Sequence, residues 1–296
     1  MAVTRLELLP VVSAWLTREP AVKAAILFGS SARPAGALEA VDYWSDVDLH
    51  VVTTAAARLE RLDWSRELVG LGFCHQTVRP ATGGVRKVTA LFAEGEVDLV
   101  LVPASRLRLG RLAARLGLHR RSAVLRYALN EIATCLRSGY RFLKGEDSWG
   151  DFYAWIAAEM PGTRLDDRAA AGLADVFLCD LLWVLQKLER GELVAAQHLL
   201  HRSLAEANFR LMREWRLRRG LPLPSFGLGR RAESLYPPEE LRLVQINARL
   251  DAAELHQAAW QAYEGVVTMM REIVPGWKIP TEMNRLLDTK AKFTRR

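Results

Sequence analysis

The sequence predicts an α+β protein in two parts: an N-terminal mixed-sheet domain followed by a C-terminal all-α helical bundle. Three observations predict it. Short apolar runs bounded by Gly, Asp and Pro recur between residues 22 and 102, as strands do. Beyond about residue 119 those runs stop and 3.6-residue spacing takes over. Half of the 296 residues are hydrophobic, enough for a sizeable core in one large domain or two ordinary ones.

The elements follow in order. Residues 5–18 space their apolar side chains as an amphipathic helix, and Val22 to Phe28 is a short buried strand. Asp46 to Val52 is a second strand. Residues 55–71 return to helical spacing, with Leu59, Leu62, Trp64 and Leu68 near one face. Gln76 to Arg79 is extended, Ala81 to Gly84 is a turn, and Val85 to Phe92 is a strand. Glu94-Gly95-Glu96 turns the chain into Val97 to Val102, and Arg106 to Leu116 is helical. Domain 1 is placed at residues 1–118. Residues 122–144, 149–160, 168–190 and 193–219 then read as helices with no strand among them. Residues 221–229 form a loop, Pro237-Pro238-Glu239-Glu240 starts a helix, and 252–273 is the last long one. This second domain is placed at 119–284, leaving 285–296 as a basic tail.

The net charge of +7 is concentrated at that tail, where five Lys/Arg meet one acid, so a nucleic-acid partner is not expected. The tail itself reads as solvated and frayed. Cys74, Cys135 and Cys179 lie far apart in no metal-ligand spacing, as suits free thiols in a reduced cytoplasm. No run of about 18 apolar residues predicts a membrane span, and the N-terminus has no signal-peptide layout.

The chemistry is concentrated in residues 27–53. A strand ends in Gly29-Ser30, and a second strand opens with Asp46 and Asp48 flanking Val47. Side chains at i and i+2 of a strand share a face. Two carboxylates on one face beside a small-residue turn suit Mg²⁺ carrying a nucleoside triphosphate. Asp98 heads a further apolar run and supplies a third carboxylate, as a two-metal phosphoryl-transfer site requires. Gly29 lets the backbone approach phosphate, and Ser30 offers a hydroxyl and an N–H. Ser31 reads as a further phosphate donor or a helix cap. Arg33 reads as a cation near the phosphates or a surface residue. Glu94 and Glu96 are rival bases; Glu96 shares the face of Asp98, but a turn position favours solvated acids. Trp44 either borders the nucleotide or packs in the core, and the His198/His201 pair lacks a third metal ligand nearby.

Gly29-Ser30, Asp46-Val47-Asp48 and Asp98 resemble the signature of the DNA polymerase β-like nucleotidyltransferase superfamily. The rest of the chain is similar to its aminoglycoside 6-adenylyltransferase branch. The spacer from Ser30 to Asp46 is longer than in the shortest members, so residues 34–43 are expected to loop out. The resemblance implies a catalytic domain paired with a helical bundle, and a cytoplasmic enzyme moving AMP from ATP to a hydroxyl of a small molecule such as an aminoglycoside. It implies Asp46, Asp48 and Asp98 as catalytic metal ligands for two Mg²⁺ ions, with Asp98 ligating, accepting the proton, or both. Lys187, in the segment Lys187 to Glu192, is implied to reach the triphosphate. A polycationic acceptor calls for carboxylates, of which Asp147, Asp151, Glu159, Asp175, Asp180 and Glu254 are candidates. Other readings are the same chemistry on a protein or RNA acceptor, or a non-catalytic nucleotide-binding module. A homodimer is left open.

Overall fold

The computed structural model describes residues 8–33, 45–137, 139–223 and 229–293, the side chains of Thr82 and residues 291–293 apart. Contacts divide the chain into two compact units, Met1–Thr163 and Arg164–Arg296. The architecture is α+β: a mixed six-stranded sheet in the first unit and, among the described residues, helices alone in the second.

The strands are β1 (Val22–Phe28), β2 (Val47–Thr53), β3 (Phe73–Ala81), β4 (Val85–Phe92), β5 (Gly95–Pro103) and β6 (Tyr140–Lys144). Their order is β3-β4-β5-β2-β1-β6. The pair β2–β5 is parallel, and the other pairings are antiparallel. Period-two alternation sends Leu27, Leu49, Val51, Val88 and Leu99 to one face. That face packs with α1 (Leu8–Arg18), α2 (Ala56–Glu60) and α3 (Trp64–Glu67). The opposite face offers Ala24, Ile26, Val52 and Val102 to α4 (Ala104–Arg115), α5 (Ala123–Leu136) and α6 (Glu146–Glu159). A register shift between Val22 and Ala24 turns these two residues to opposite faces, although they are two apart.

Several expectations are corrected. Residues 55–71 are two short helices, because Asp63 caps a new start by accepting the Ser65 N–H at 3.2 Å. Residues 122–144 are not one helix. The helix stops at Leu136, Gly139 takes φ 106, and the chain re-enters the sheet as β6 beside β1. Lys144 Nζ then donates to the carbonyls of Leu16, Thr17 and Glu19 at 2.9, 3.0 and 2.9 Å. A cation is thus held where the last carbonyls of α1 concentrate negative charge. Residues 119–163 accordingly pack with the sheet rather than with the helices that follow, and the boundary falls after Thr163 instead of residue 118.

The second unit comprises α7 (Asp167–Glu189), α8 (Leu193–Leu199), α9 (Glu206–Arg218), α10 (Ala232–Leu235), α11 (Pro238–Leu241), α12 (Ala252–Ile273) and α13 (Thr281–Phe293). A single π turn joins α8 to α9. The core lies along α7, α9 and α12, with Phe177, Leu181, Leu211, Ala262 and Val266 fully or almost fully buried. The α7 helix has the length and apolarity of a membrane span, yet its apolar face is the centre of this core. Buried Glu214 accepts from Arg164, Arg218 and the Leu165 N–H. Burial opposes its charge, but those donors outweigh it and hold its carboxyl below the usual range. The tail is not frayed over the described residues. It belongs to α13, where Leu287 enters the core and Lys290 reaches Glu189 at 2.6 Å. The expected loop at 34–43 and Trp44 lie outside the described residues.

Candidate active site

The parallel strands β2 and β5 are in register, with Asp48 opposite Asp98. Cross-strand partners share a face, so both side chains leave the sheet on the same side. Phe28 of β1 continues the row beyond Asp48, and Thr89 of β4 continues it beyond Asp98. Glu96 is two residues before Asp98 on the same strand and therefore on the same face. Asp46 enters from the residue preceding β2. Oxygens of Asp46, Glu96 and Asp98 all lie within 4.8 Å of one another, a donor set for a hard divalent cation. Asp48 is outside that trio, with its carboxylate against the Gly-Ser turn instead. Glu96, read from its turn position as a solvated acid, is half-buried and part of the cluster. Glu94 is not part of it; its oxygens accept the Gly72 N–H at 3.1 and 3.0 Å and close the turn.

Burial, the neighbouring Asp98 and then Asp46 push the Glu96 carboxyl up, against the pull of Lys87 and Arg79. Clustered carboxylates repel one another, and a bound cation relieves this. In the structure Asp98 is 2% exposed and is neutralised by an ion pair with Lys87 and a hydrogen bond donated by Thr89. Arg79 donates to Thr89 Oγ1 at 3.3 Å. Sequence reasoning missed Lys87 and Arg79. The available signal was two cations in register at the inward positions of adjacent strands β3 and β4.

The turn after β1 is built for close approach. Gly29 has φ 75 and ψ −156, a region almost confined to glycine. A Cβ there would lie 2.6 Å from Asp48 Oδ2. Ser30 is 2% exposed, and its hydroxyl is buried without a hydrogen-bond partner among the described residues. Such an atom is costly unless something supplies the missing bond. Ser31 Oγ donates to the Asp46 carbonyl at 3.0 Å and so ties the turn to the start of β2. Arg33 is half-buried and already engaged within the protein. The unsatisfied hydroxyl, the glycine cradle and the oxygen donors together fit a metal–phosphate ligand.

An uncharged polar layer underlies the acids and was not foreseen. His50 lies two residues beyond Asp48 on β2, with Nδ1 2.8 Å from the Tyr153 hydroxyl. Burial pushes the imidazole down to about 4, leaving it neutral at pH 7. Burial, Glu131 and Asp48 push the Cys135 thiol up to about 12. Burial also raises the Tyr153 hydroxyl.

In the second unit Lys187 stands in the last turn of α7 and pairs with Glu192, which lies 3.9 Å from Arg190. Among the acceptor candidates, Asp147, Asp151 and Glu159 are on α6. Asp175 accepts from Trp277 Nε1 at 3.0 Å, Glu254 pairs with Arg249, and Asp180 is half-buried on α7. His198 and His201 are both exposed.

No protein-family model matches the chain, and no curated protein matches it. Among solved structures, it is similar to an aminoglycoside 6-adenyltransferase from Bacillus subtilis. That match has 12% identity, a TM-score of 0.41, and covers 98% of each chain. It is also similar to a nucleotidyltransferase-like protein from Exiguobacterium sibiricum 255-15, with 15% identity and a TM-score of 0.32 over 91% of this chain and 76% of that one.

Proposed function

We propose that the protein is a Mg²⁺-dependent nucleotidyltransferase that moves AMP from ATP to a hydroxyl of a small molecule, with an aminoglycoside as the acceptor class. The observation that carries the reading is the convergence of Asp46, Glu96 and Asp98 beside a glycine cradle and the unpartnered Ser30 hydroxyl. The acceptor class is taken from the resemblance of the sequence.

Asp46, Glu96 and Asp98 would hold the metal, with Asp48 beside them. When bound, Mg²⁺ neutralises the triphosphate and acidifies the attacking hydroxyl. The protein's own task is positioning. Gly29 admits the phosphates to the backbone and the Ser30 hydroxyl donates to a phosphate oxygen. A role for Lys187 at the triphosphate is taken from the resemblance of the sequence alone. The acceptor oxygen bonds to the α-phosphorus as the bond to pyrophosphate breaks, and Asp98 or Glu96 takes the hydroxyl proton. The polar layer of His50 and Tyr153 adds no net charge beneath the acids, so the field at the metal is set by the carboxylates together with Lys87 and Arg79.

The test is pyrophosphate release from ATP against streptomycin, kanamycin-type aminoglycosides and lincosamides, with Asp98→Asn as the blank. Release with one drug, abolished in the variant, is expected. ATP binding without release across the panel would move the acceptor to a protein or RNA. Turnover surviving Asp98→Asn would remove the carboxylate row from the chemistry.

A further inference from the structure

We propose that the first unit carries a second ligand site, between α4 and α6, for a nucleoside phosphate. A cavity of about 680 Å³ opens there, bounded by the C-terminal end of α4, the turn Leu118–Arg120 and one face of α6. That volume is ordinary for a cofactor-sized ligand. No residue of the carboxylate row or the Gly-Ser turn lines it.

One wall is cationic. Arg111, Arg115 and Arg120 line it, and they belong to a stretch of seven arginines with no acid between Ala104 and Asn130. The charge count along the sequence hides this stretch, because acids elsewhere balance it. Arg111 is held in place over the Trp149 ring at 4.8 Å and donates to the Ser148 carbonyl at 2.9 Å. Arg115 and Arg120 form no salt bridge among the described residues, although Asp151 and Glu159 line the same cavity. Guanidinium groups that are not spent on carboxylates are matched in geometry and charge to phosphate oxygens.

A second wall is aromatic. Phe152 and Trp155 lie stacked, with 8° between planes and centroids 5.9 Å apart. His119 meets Trp155 edge-on at 5.4 Å. His119 Nδ1 is buried with no hydrogen-bond partner among the described residues, a polar atom left for an incoming group. Asp151 and Glu159 add acceptors suited to ribose hydroxyls or exocyclic amines. Phosphate, flat ring and hydroxyl donors are the three parts of a nucleotide. Inorganic phosphate would leave the rings unused, and a neutral aromatic would leave the arginines unused. A polycationic drug would face three guanidinium groups, so Asp151 and Glu159 do not mark an aminoglycoside pocket here.

The experiment is calorimetric titration of the full-length protein in EDTA with AMP, GMP and inorganic phosphate. A mononucleotide should bind one-to-one without metal. Replacing both Arg115 and Arg120 by Ala should weaken binding about tenfold or more. Both side chains are exposed, so an unchanged thermal midpoint is expected for the variant. Asp98→Asn should leave this binding intact, and Trp155→Leu should weaken nucleotide but not phosphate. The proposal is overturned if neither nucleotide binds, if the arginine pair is without effect, or if Asp98→Asn abolishes binding. It is equally overturned if phosphate matches the nucleotide, or if a single-stranded oligonucleotide binds more tightly than the mononucleotide.

Discussion

Replacing Gly29 by Ala separates stability from function at the turn. The native φ of 75 and ψ of −156 cost a non-glycine residue about 1–3 kcal/mol. The new methyl would also sit 2.6 Å from Asp48 Oδ2. That contact is with the far end of a side chain, so the carboxylate rather than the backbone gives way. The stability loss should therefore stay near the backbone figure, about 2 kcal/mol, measured by urea denaturation. The displaced Asp48 carboxylate is felt elsewhere. A misplacement of about 1 Å in a reacting array lowers turnover about 100-fold, and Mn²⁺ affinity, read by paramagnetic resonance, should weaken too. Gly70→Ala is the control, since Gly70 has φ 97 with nothing within 4 Å of its Cβ position. It should lose about 1–2 kcal/mol and keep turnover. A folded Gly29→Ala protein with wild-type turnover and Mn²⁺ affinity would refute the assignment of this turn to the site.

Other outcomes follow from the same structure. Ser30→Ala removes a buried, unpartnered hydroxyl, so urea denaturation should show equal or higher stability while the KM for ATP rises. Glu96→Gln should weaken Mn²⁺ binding. Because the folded Glu96 pKa is raised, its contribution to stability is complete below the unfolded value and is lost as pH rises through the folded one. Metal-free Glu96→Gln should therefore lack that loss, and an unchanged pH profile would count against a carboxylate cluster. Glu214 behaves oppositely. Its lowered pKa means that its stabilisation is present above the unfolded value and disappears as pH falls through the folded one. Glu214→Gln should cost about 3 kcal/mol at pH 7 by taking the anion from Arg164 and leaving Arg218 with Asp167 alone. Lys187→Ala should raise the KM for ATP without moving the thermal midpoint, and an unchanged KM would detach it from the site.

The sheet was legible where apolar alternation and turn residues agree. Val22–Phe28 and Val85–Phe92 were readable to the residue, as was the Ala252–Ile273 helix. The break at Gly139 was not, because Tyr140, Phe142 and Leu143 also satisfy a helical pattern, and only pairing with β1 decides the matter. Period two could place Asp46 with Asp48 on one face, but that Asp98 stands beside them is settled by the β2–β5 pairing. Recruiting Glu96 over Asp48 to the trio depends on how the Gly29 turn directs Asp48, which no spacing records. Lys87, Arg79 and His50 escaped because their roles arise from neighbours across strands or from α6. The cationic cavity wall was hidden by summing charge over too long a stretch.

The late return of the chain as β6 has a consequence for synthesis on the ribosome. β1 is made early, but one of its two edges is covered only when Tyr140–Lys144 emerges. Until then the nascent chain displays the run Ala24–Phe28 with free N–H and C=O groups, a template for pairing with a neighbouring chain. Lys144 arrives at the end of that strand and fastens the far end of α1 in the same event. The first unit therefore completes as one late cooperative step, and a ribosomal pause before residue 144 would favour aggregation more than a pause after Thr163.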